Sequence, residues 1–191
     1  MGALRFRQTE PLLPYIDTSN YGKSSVQPWL SSDQTSEDCL FLNIWTPTID
    51  PNAKLPVLFF IHGGGFTNGA GHYIFVKPLG VLGPVATPTY EGTRLALRDV
   101  VIVSINYRLG IWDWLYCQSS EFPGNMGYWD QAMVLDWVRA HIMRFGGDLN
   151  QITLFGQSAG GMAISNHLVS NVTRNWSKNA IIQSGFQQNL S

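Results

Sequence analysis

Four short runs of unbroken apolarity punctuate this chain: Val57-Leu58-Phe59-Phe60-Ile61, Val100 to Ile105, Ile152-Thr153-Leu154-Phe155 and Ala180-Ile181-Ile182-Gln183. Each has strand length and a strand-like composition. Continuous rather than alternating apolarity suits central strands covered on both faces of a sheet. Leu40 to Trp45 reads as an earlier strand, ended by Thr46-Pro47. Between Asn125 and Gly146 the period changes. Trp129, Met133, Leu135 to Val138, Ile142 and Phe145 recur at helical spacings of three and four, and Gly146-Gly147 supplies a stop. A second helix is predicted from near Ser158 towards Val169, with Ala159, Met162, Ala163 and Leu168 able to cover one face. Strands alternating with helices imply an α/β sheet. Phe75 to Pro88 (FVKPLGVLGPVATP) fits neither period, having three prolines and two glycines among apolar residues. It reads as a loop, an insertion or a fault in the coding sequence. No internal repeat or domain linker is visible.

The chain has 191 residues, enough for one domain with a sizeable core. It is 45% hydrophobic and 13% aromatic, with seven tryptophans, which excludes a disordered class. A formal charge of −1 gives no basic footprint for nucleic acid. No apolar run approaches the ~20 residues of a membrane span. Met1 to Phe6 lacks the apolar stretch of a signal peptide, and Phe6 stands where a myristoylation site wants Ser or Thr. Two cysteines, Cys39 and Cys117, are too few for a disulfide framework. Three sequons, at Asn171, Asn175 and Asn189, support secretion weakly.

The candidate chemistry lies at Gly156-Gln157-Ser158-Ala159-Gly160, a G-x-S-x-G sequence between a predicted strand and a predicted helix. Small residues there permit a sharp turn that strains the serine backbone and pushes its hydroxyl outward. The N–H of Ala159 then faces a substrate carbonyl from a helix N-terminus. Alone, the motif also fits a glycine-rich turn with an N-cap serine. Upstream, Ile61-His62-Gly63-Gly64-Gly65-Phe66 follows another predicted strand. A glycine triplet lets bare backbone N–H groups approach a ligand oxygen, as in the oxyanion element of esterases and lipases.

With these two motifs in order, the sequence resembles the type-B carboxylesterase/lipase family, which includes the cholinesterases, within the α/β-hydrolase fold. Further blocks support the resemblance: Arg5-Phe6-Arg7 with Pro11, Ser36-Glu37-Asp38-Cys39-Leu40, Asn106-Tyr107-Arg108-Leu109-Gly110, Gly124 to Gly127 with Asp130-Gln131, Phe145 to Asp148, and Gln183-Ser184-Gly185. The resemblance implies a mostly parallel sheet with helices on both faces, here its N-terminal, incomplete part. It implies that Ser158 is the acyl-forming nucleophile and that Gly64, Gly65 and Ala159 donate the oxyanion-hole N–H groups. Gln157 would flank the nucleophile, and Ser184 would stand just behind the catalytic residues. Glu37 would pair with Arg5, and Arg108 with Asp130, as scaffold. The implied substrate is a small carboxylic ester, with no cofactor, and the implied location is secreted or luminal. Acyl and alcohol pockets would be lined largely by residues beyond position 191.

Some positions depart from the family pattern. Gln157 replaces a glutamate, and losing that charge should weaken any preference for cationic substrates. Ser25 stands where the family has the cysteine partner of Cys39, so Cys39 is expected to be unpaired or to have an unexpected partner. Cys117, after a different strand, is expected to be an ordinary thiol. Trp29 lies ten residues before Cys39, the spacing of the tryptophan that holds choline in cholinesterases. The loop around it is shortened and a lone tryptophan usually packs, so packing is the expectation. Ile111 to Trp114 and Leu149 also depart from the pattern.

A serine nucleophile needs a base and an orienting carboxylate, which in this fold follow it along the chain. After Ser158 there is no Asp or Glu, and the only later histidine is His167. Nine residues along one helix places it roughly 13 Å away at ~1.5 Å per residue. His62 is expected to orient backbone, His72 to lie in a loop and His141 on a helix face. No metal-ligand spacing and no phosphate loop is present. The 191 residues therefore read as the N-terminal part of one longer esterase domain, inactive alone. A non-catalytic binding relative and a truncated product are the rival readings.

Overall fold

The computed structural model describes residues 6–10, 20–76, 85–87, 90–111, 115–120 and 122–185. A sheet of five strands forms the centre: β1 (Leu42–Trp45), β2 (Leu55–Ile61), β5 (Val101–Ile105), β8 (Gly147–Gln157) and β9 (Asn179–Gln183). Their order is β1-β5-β2-β8-β9. β1 runs antiparallel to β5, and the other neighbours are parallel. All five predicted strands are present. β8 begins well before the predicted Ile152, because Leu55 already pairs with Gly147 across an irregularity in the register.

Val57, Phe59 and Ile61 align with Ile152, Leu154 and Gly156 across the β2–β8 pair. With Val101, Val103 and Ile105 they form one face of the sheet and the main core. Two helices supply Leu135, Val138, Ala159, Ala163 and Ile164 to the same core. Counting the short α1 (Thr93–Ala96) first, these are α2 (Met126–His141) and α3 (Ala159–Val169). A 3-10 turn, Ile142–Phe145, follows α2, and Gly146 stops it at φ 76°. On the opposite face Phe60 packs against Tyr90 and Phe155, with ring centroids 4.5 and 5.1 Å apart. Helices thus lie on both faces, the long pair on one and the single turn of α1 beside Trp45 and Ile102 on the other. No helix among the described residues is long and apolar enough to cross a membrane.

One expectation needs correction, and two gain detail. The buried stripe of α3 ends on His167, not Leu168, which is exposed. Among the described residues β9 is the sheet edge, and its Ile181 is 45% exposed. Its composition asks for cover that the described residues do not provide. Phe75 to Pro88, read as a loop, an insertion or a coding fault, overlaps an antiparallel pair, β3 (Ile74–Val76) with β4 (Val85–Thr87), and residues 77–84 between them lie outside the described residues. A second small hairpin, β6 (Tyr116–Ser119) with β7 (Phe122–Pro123), carries no apolar run and had no sequence signal.

Candidate active site

Ser158 sits between the last residue of β8 and the first of α3, at φ 54° and ψ −125°. An L-residue there carries strain of order 1–3 kcal/mol and persists only when its surroundings over-determine it. They do so here. Ser158 N–H donates to the Gln183 carbonyl at 2.8 Å, and its own carbonyl accepts from Met162 N–H at 3.0 Å. Gly160 lies so close to the Ile61 carbonyl that any Cβ would collide with it, which lets α3 leave directly over β2. Ala159 is buried in the first turn of that helix.

The glycine triplet meets the same turn. A Cβ on Gly63 would lie 2.5 Å from the Gln157 carbonyl and 3.1 Å from Ser158 Cβ. Gly64 and Gly65 follow at φ 112° and 63°, a path that disfavours any side chain. The Gly64 carbonyl accepts from Thr67 and Asn68 N–H, both at 3.1 Å, closing a tight turn. Residues 106–110 brace this loop from below. Tyr107 hydroxyl donates to the His62 carbonyl at 2.8 Å, and Gly71 N–H to Asn106 Oδ1 at 2.9 Å. Gly110 N–H donates to the Phe66 carbonyl at 2.7 Å. Beneath them Arg108 forks onto Asp130, Nε to Oδ2 at 2.8 Å and the terminal nitrogen to Oδ1 at 2.6 Å. Thr9 joins the same carboxylate, and Arg108 also reaches the Arg7 carbonyl at 2.8 Å.

The structure therefore brings Gly63, the first residue of the triplet, against the turn of Gln157, Ser158 and Ala159, and Gly64 and Gly65 follow it along the loop towards Thr67 and Asn68. Ser184, at φ 51°, is exposed beside them, since Gly185 packs against the Ser158 carbonyl. His62 is buried: Nδ1 donates to the Gly63 carbonyl at 2.8 Å, and the ring stacks on Tyr107 with centroids 4.3 Å apart. It braces the loop, as expected. His72 stacks on Tyr21 at 4.5 Å, and His141 packs by Trp137 at 4.8 Å. His167 Nε2 is bonded to Gln131 Oε1 at 2.8 Å, and its Nδ1 lies 3.1 Å from the Thr173 hydroxyl. Both ring nitrogens are occupied away from Ser158. Among the described residues no group of three His, Cys, Asp or Glu side chains could hold a metal.

Burial pulls the His62 and His167 pKa values down to about 4. The Gly63 bond opposes the shift at His62 and neighbouring His72 adds to it. In the unfolded chain these rings titrate near ~6.5. Between the two values the folded state binds fewer protons than the unfolded one. Stability held above pH ~6.5 is therefore lost as pH falls towards ~4, by roughly 3 kcal/mol per ring. Thermal melts from pH 7 to 4.5 should show this decline, and the double variant His62→Asn, His167→Gln should flatten it. An equally steep decline in that variant would assign the effect to other groups.

Cys39 is a buried free thiol, its pKa pushed up to about 12 by burial, with the Ser25 hydroxyl beside it as a partner. Cys117 is free and exposed. Trp29 does not pack: it is 64% exposed and holds φ 69°. Arg5, and with it the expected pair to Glu37, lies outside the described residues, as do Pro11, residues 112–114 and Asn189. A groove of about 350 Å³ between α2 and α3 is lined by Tyr128, Trp129, Asn166, His167 and Thr173, and not by Ser158. Sequence reasoning gave no role to Gln27, whose buried amide holds the Gly69 backbone. A lone glutamine 36 positions before the triplet carries no local signal.

Comparison with known proteins gives the family and the fold. The model of the carboxylesterase family matches residues 1–189. Acetylcholinesterase 1 of Caenorhabditis elegans is 36% identical over 203 aligned residues, and acetylcholinesterase of Gallus gallus 38% over 186. These alignments cover 97% and 95% of this chain but only 30% and 22% of the relatives. Among solved structures, a PNB esterase superimposes with a TM-score of 0.82 at 37% identity, covering 97% of this chain and 38% of its own. A Geobacillus stearothermophilus carboxylesterase gives 0.78 at 36%, covering 92% and 35%. The chain thus spans between 22% and 38% of these proteins.

Proposed function

We propose, from the premise that this chain belongs to the carboxylesterase family, that Ser158 is the nucleophile of a carboxylic ester hydrolase. The observation that carries the reading is the strained Ser158 backbone at the strand-to-helix turn, with Gly63 packed against it. In the reaction Ser158 Oγ bonds to the ester carbonyl carbon and gives its proton to a general base. The carbonyl electron pair moves to oxygen, where the N–H groups of Gly64, Gly65 and Ala159 receive the charge. Collapse breaks the bond to the alcohol oxygen, which takes up the proton, and water later releases the acid. No cofactor enters these steps. Gln157, uncharged beside the nucleophile, supplies no attraction for a cationic ester.

The base and its carboxylate are not supplied by residues 159–191, which hold no Asp or Glu and only the internally bonded His167. Residues 1–191 are then the N-terminal part of one esterase domain, and the uncovered β9 edge is where the remainder would dock. Exposed Asn171 and Asn175, both in sequons, support passage through a secretory compartment.

A fluorophosphonate probe tests the assignment. In the full-length protein it should add to Ser158 alone, one per chain, by mass spectrometry. In residues 1–191 alone the rate constant should be lower by a factor of at least about 10³, since the base is missing. Equal rates in the two, or addition at another residue, would reject the assignment of roles.

A further inference from the structure

We propose that Gln27 is a positioning residue for the reaction, the clasp that fixes the oxyanion loop at its far end. This rests on the reading of Ser158 and the glycine triplet above. Gln27 is buried, and its amide uses both ends. Nε2 donates to the Gly69 carbonyl at 2.9 Å and to the Ser25 carbonyl at 3.0 Å, while Oε1 accepts from Gly69 N–H at 2.7 Å. The pair of bonds to Gly69 closes a ring between one side chain and one residue's backbone, so Gly69 can neither slide nor rotate. Only a primary amide of this length supplies donor and acceptor together.

From Gly69 the constraint passes to the site. Gly69 lies against the His62 ring, where a Cβ would come 2.5 Å from Nδ1. That nitrogen holds the Gly63 carbonyl at 2.8 Å, and Gly63 touches Ser158. The turn from Gly64 to Asn68 is thus pinned at both ends, by His62 and by Gln27. Neighbouring bonds keep the clasp in place. Asn106 Nδ2 donates to the Lys23 carbonyl at 3.1 Å, and the Tyr73 hydroxyl donates to Ser24 Oγ at 2.6 Å. Released from Gln27, the Gly64 and Gly65 N–H groups would keep their identity but lose their aim. A misplacement near 1 Å costs about a hundredfold in rate.

The test is Gln27→Met in the full-length esterase, which keeps the volume and removes all three bonds. The expected result is a kcat lower by ten- to a hundredfold with KM within about twofold, because the clasp acts on where charge develops. Affinity for a trifluoromethyl ketone, which forms the tetrahedral adduct, should fall by the same factor, while affinity for the unreactive alcohol analogue should not. A purely structural residue would lower the melting temperature without that split. If the methionine variant does not fold, Gln27→Glu is read instead. At alkaline pH, where its carboxylate is ionised, it keeps the shape and the bond from Gly69 N–H but loses both donated bonds, and its kcat there should fall at least fivefold with the same split. Unchanged kcat in a folded variant, or equal loss of both affinities, overturns the proposal. If Ser158→Ala also leaves kcat unchanged, the underlying reading fails with it. If Ser158→Ala abolishes turnover, only the clasp fails.

Discussion

Ser158→Ala in the full-length protein is expected to lower kcat for a neutral carboxylic ester by roughly 10⁶-fold, the scale seen when a triad serine is removed. KM should change little, because the hydroxyl is one atom and contributes to bond making rather than to ground-state contact. The residual rate would come from the N–H groups of Gly64, Gly65 and Ala159, which the substitution leaves in place and which alone can leave about 10³–10⁴-fold over water. Fold should be retained: Ser158 caps no N–H with its side chain, and its backbone bonds to Gln183 and Met162 are independent of the hydroxyl. Steady-state kinetics beside a thermal melt measures both. Activity within tenfold of wild type would show that Ser158 is not the nucleophile, and would favour a binding relative that keeps the turn.

The second large effect is on stability. Asp130→Asn should destabilise the fold by about 3 kcal/mol, lowering Tm by about 6–12 °C for a domain of this size. Asp130 is wholly buried, with 0% of its side chain exposed, and accepts from Arg108 at three points, two from the guanidinium and one from the backbone N–H at 3.0 Å. Asparagine keeps the shape but leaves the cation without its counter-charge. Arg108, 14% exposed, can recover only a little hydration, which places the loss at the lower end of the range for broken buried pairs. Salt should scarcely change the difference, since the pair is sheltered from mobile ions. Melts at two ionic strengths decide it. A Tm within about 2 °C of wild type, or a gap that closes in high salt, would show that the pair behaves as a surface contact. Residues 106–110 carry the braces to His62, Phe66 and Gly71, so turnover should fall with the folded population.

Much of the sheet and its helices was legible along the chain because the signals are local. Val57 to Ile61 and Val100 to Ile105 are apolar enough to be nothing but covered strands, and the spacing from Trp129 to Phe145 is helical. The turn at Ser158 was legible for the same reason: small residues at 156 and 160 matter through steric contact within five residues. Ala180 to Gln183 has the composition of a central strand and, among the described residues, ends the sheet, with no described strand paired to its outer edge. Two positions were misread for a common cause. Leu168 looked like the buried position of α3, but the helix turns His167 inward to Gln131, 36 residues earlier. Trp29 was expected to pack, and it is 64% exposed.

The sequence by itself determined the α/β sheet, the strained serine, the glycine triplet and the absence of Asp or Glu after Ser158, because each is a matter of composition or of neighbours along the chain. Only the tertiary structure decided that Gly63 lies against Ser158, that Gln27 grips Gly69 across 42 positions, and that Thr9 and Asp130 meet across 121. A hydrogen bond requires atoms within about 3 Å. Position in sequence sets no such distance once the chain has folded back on itself, and these contacts exist because five strands bring remote loops to the same end of one sheet.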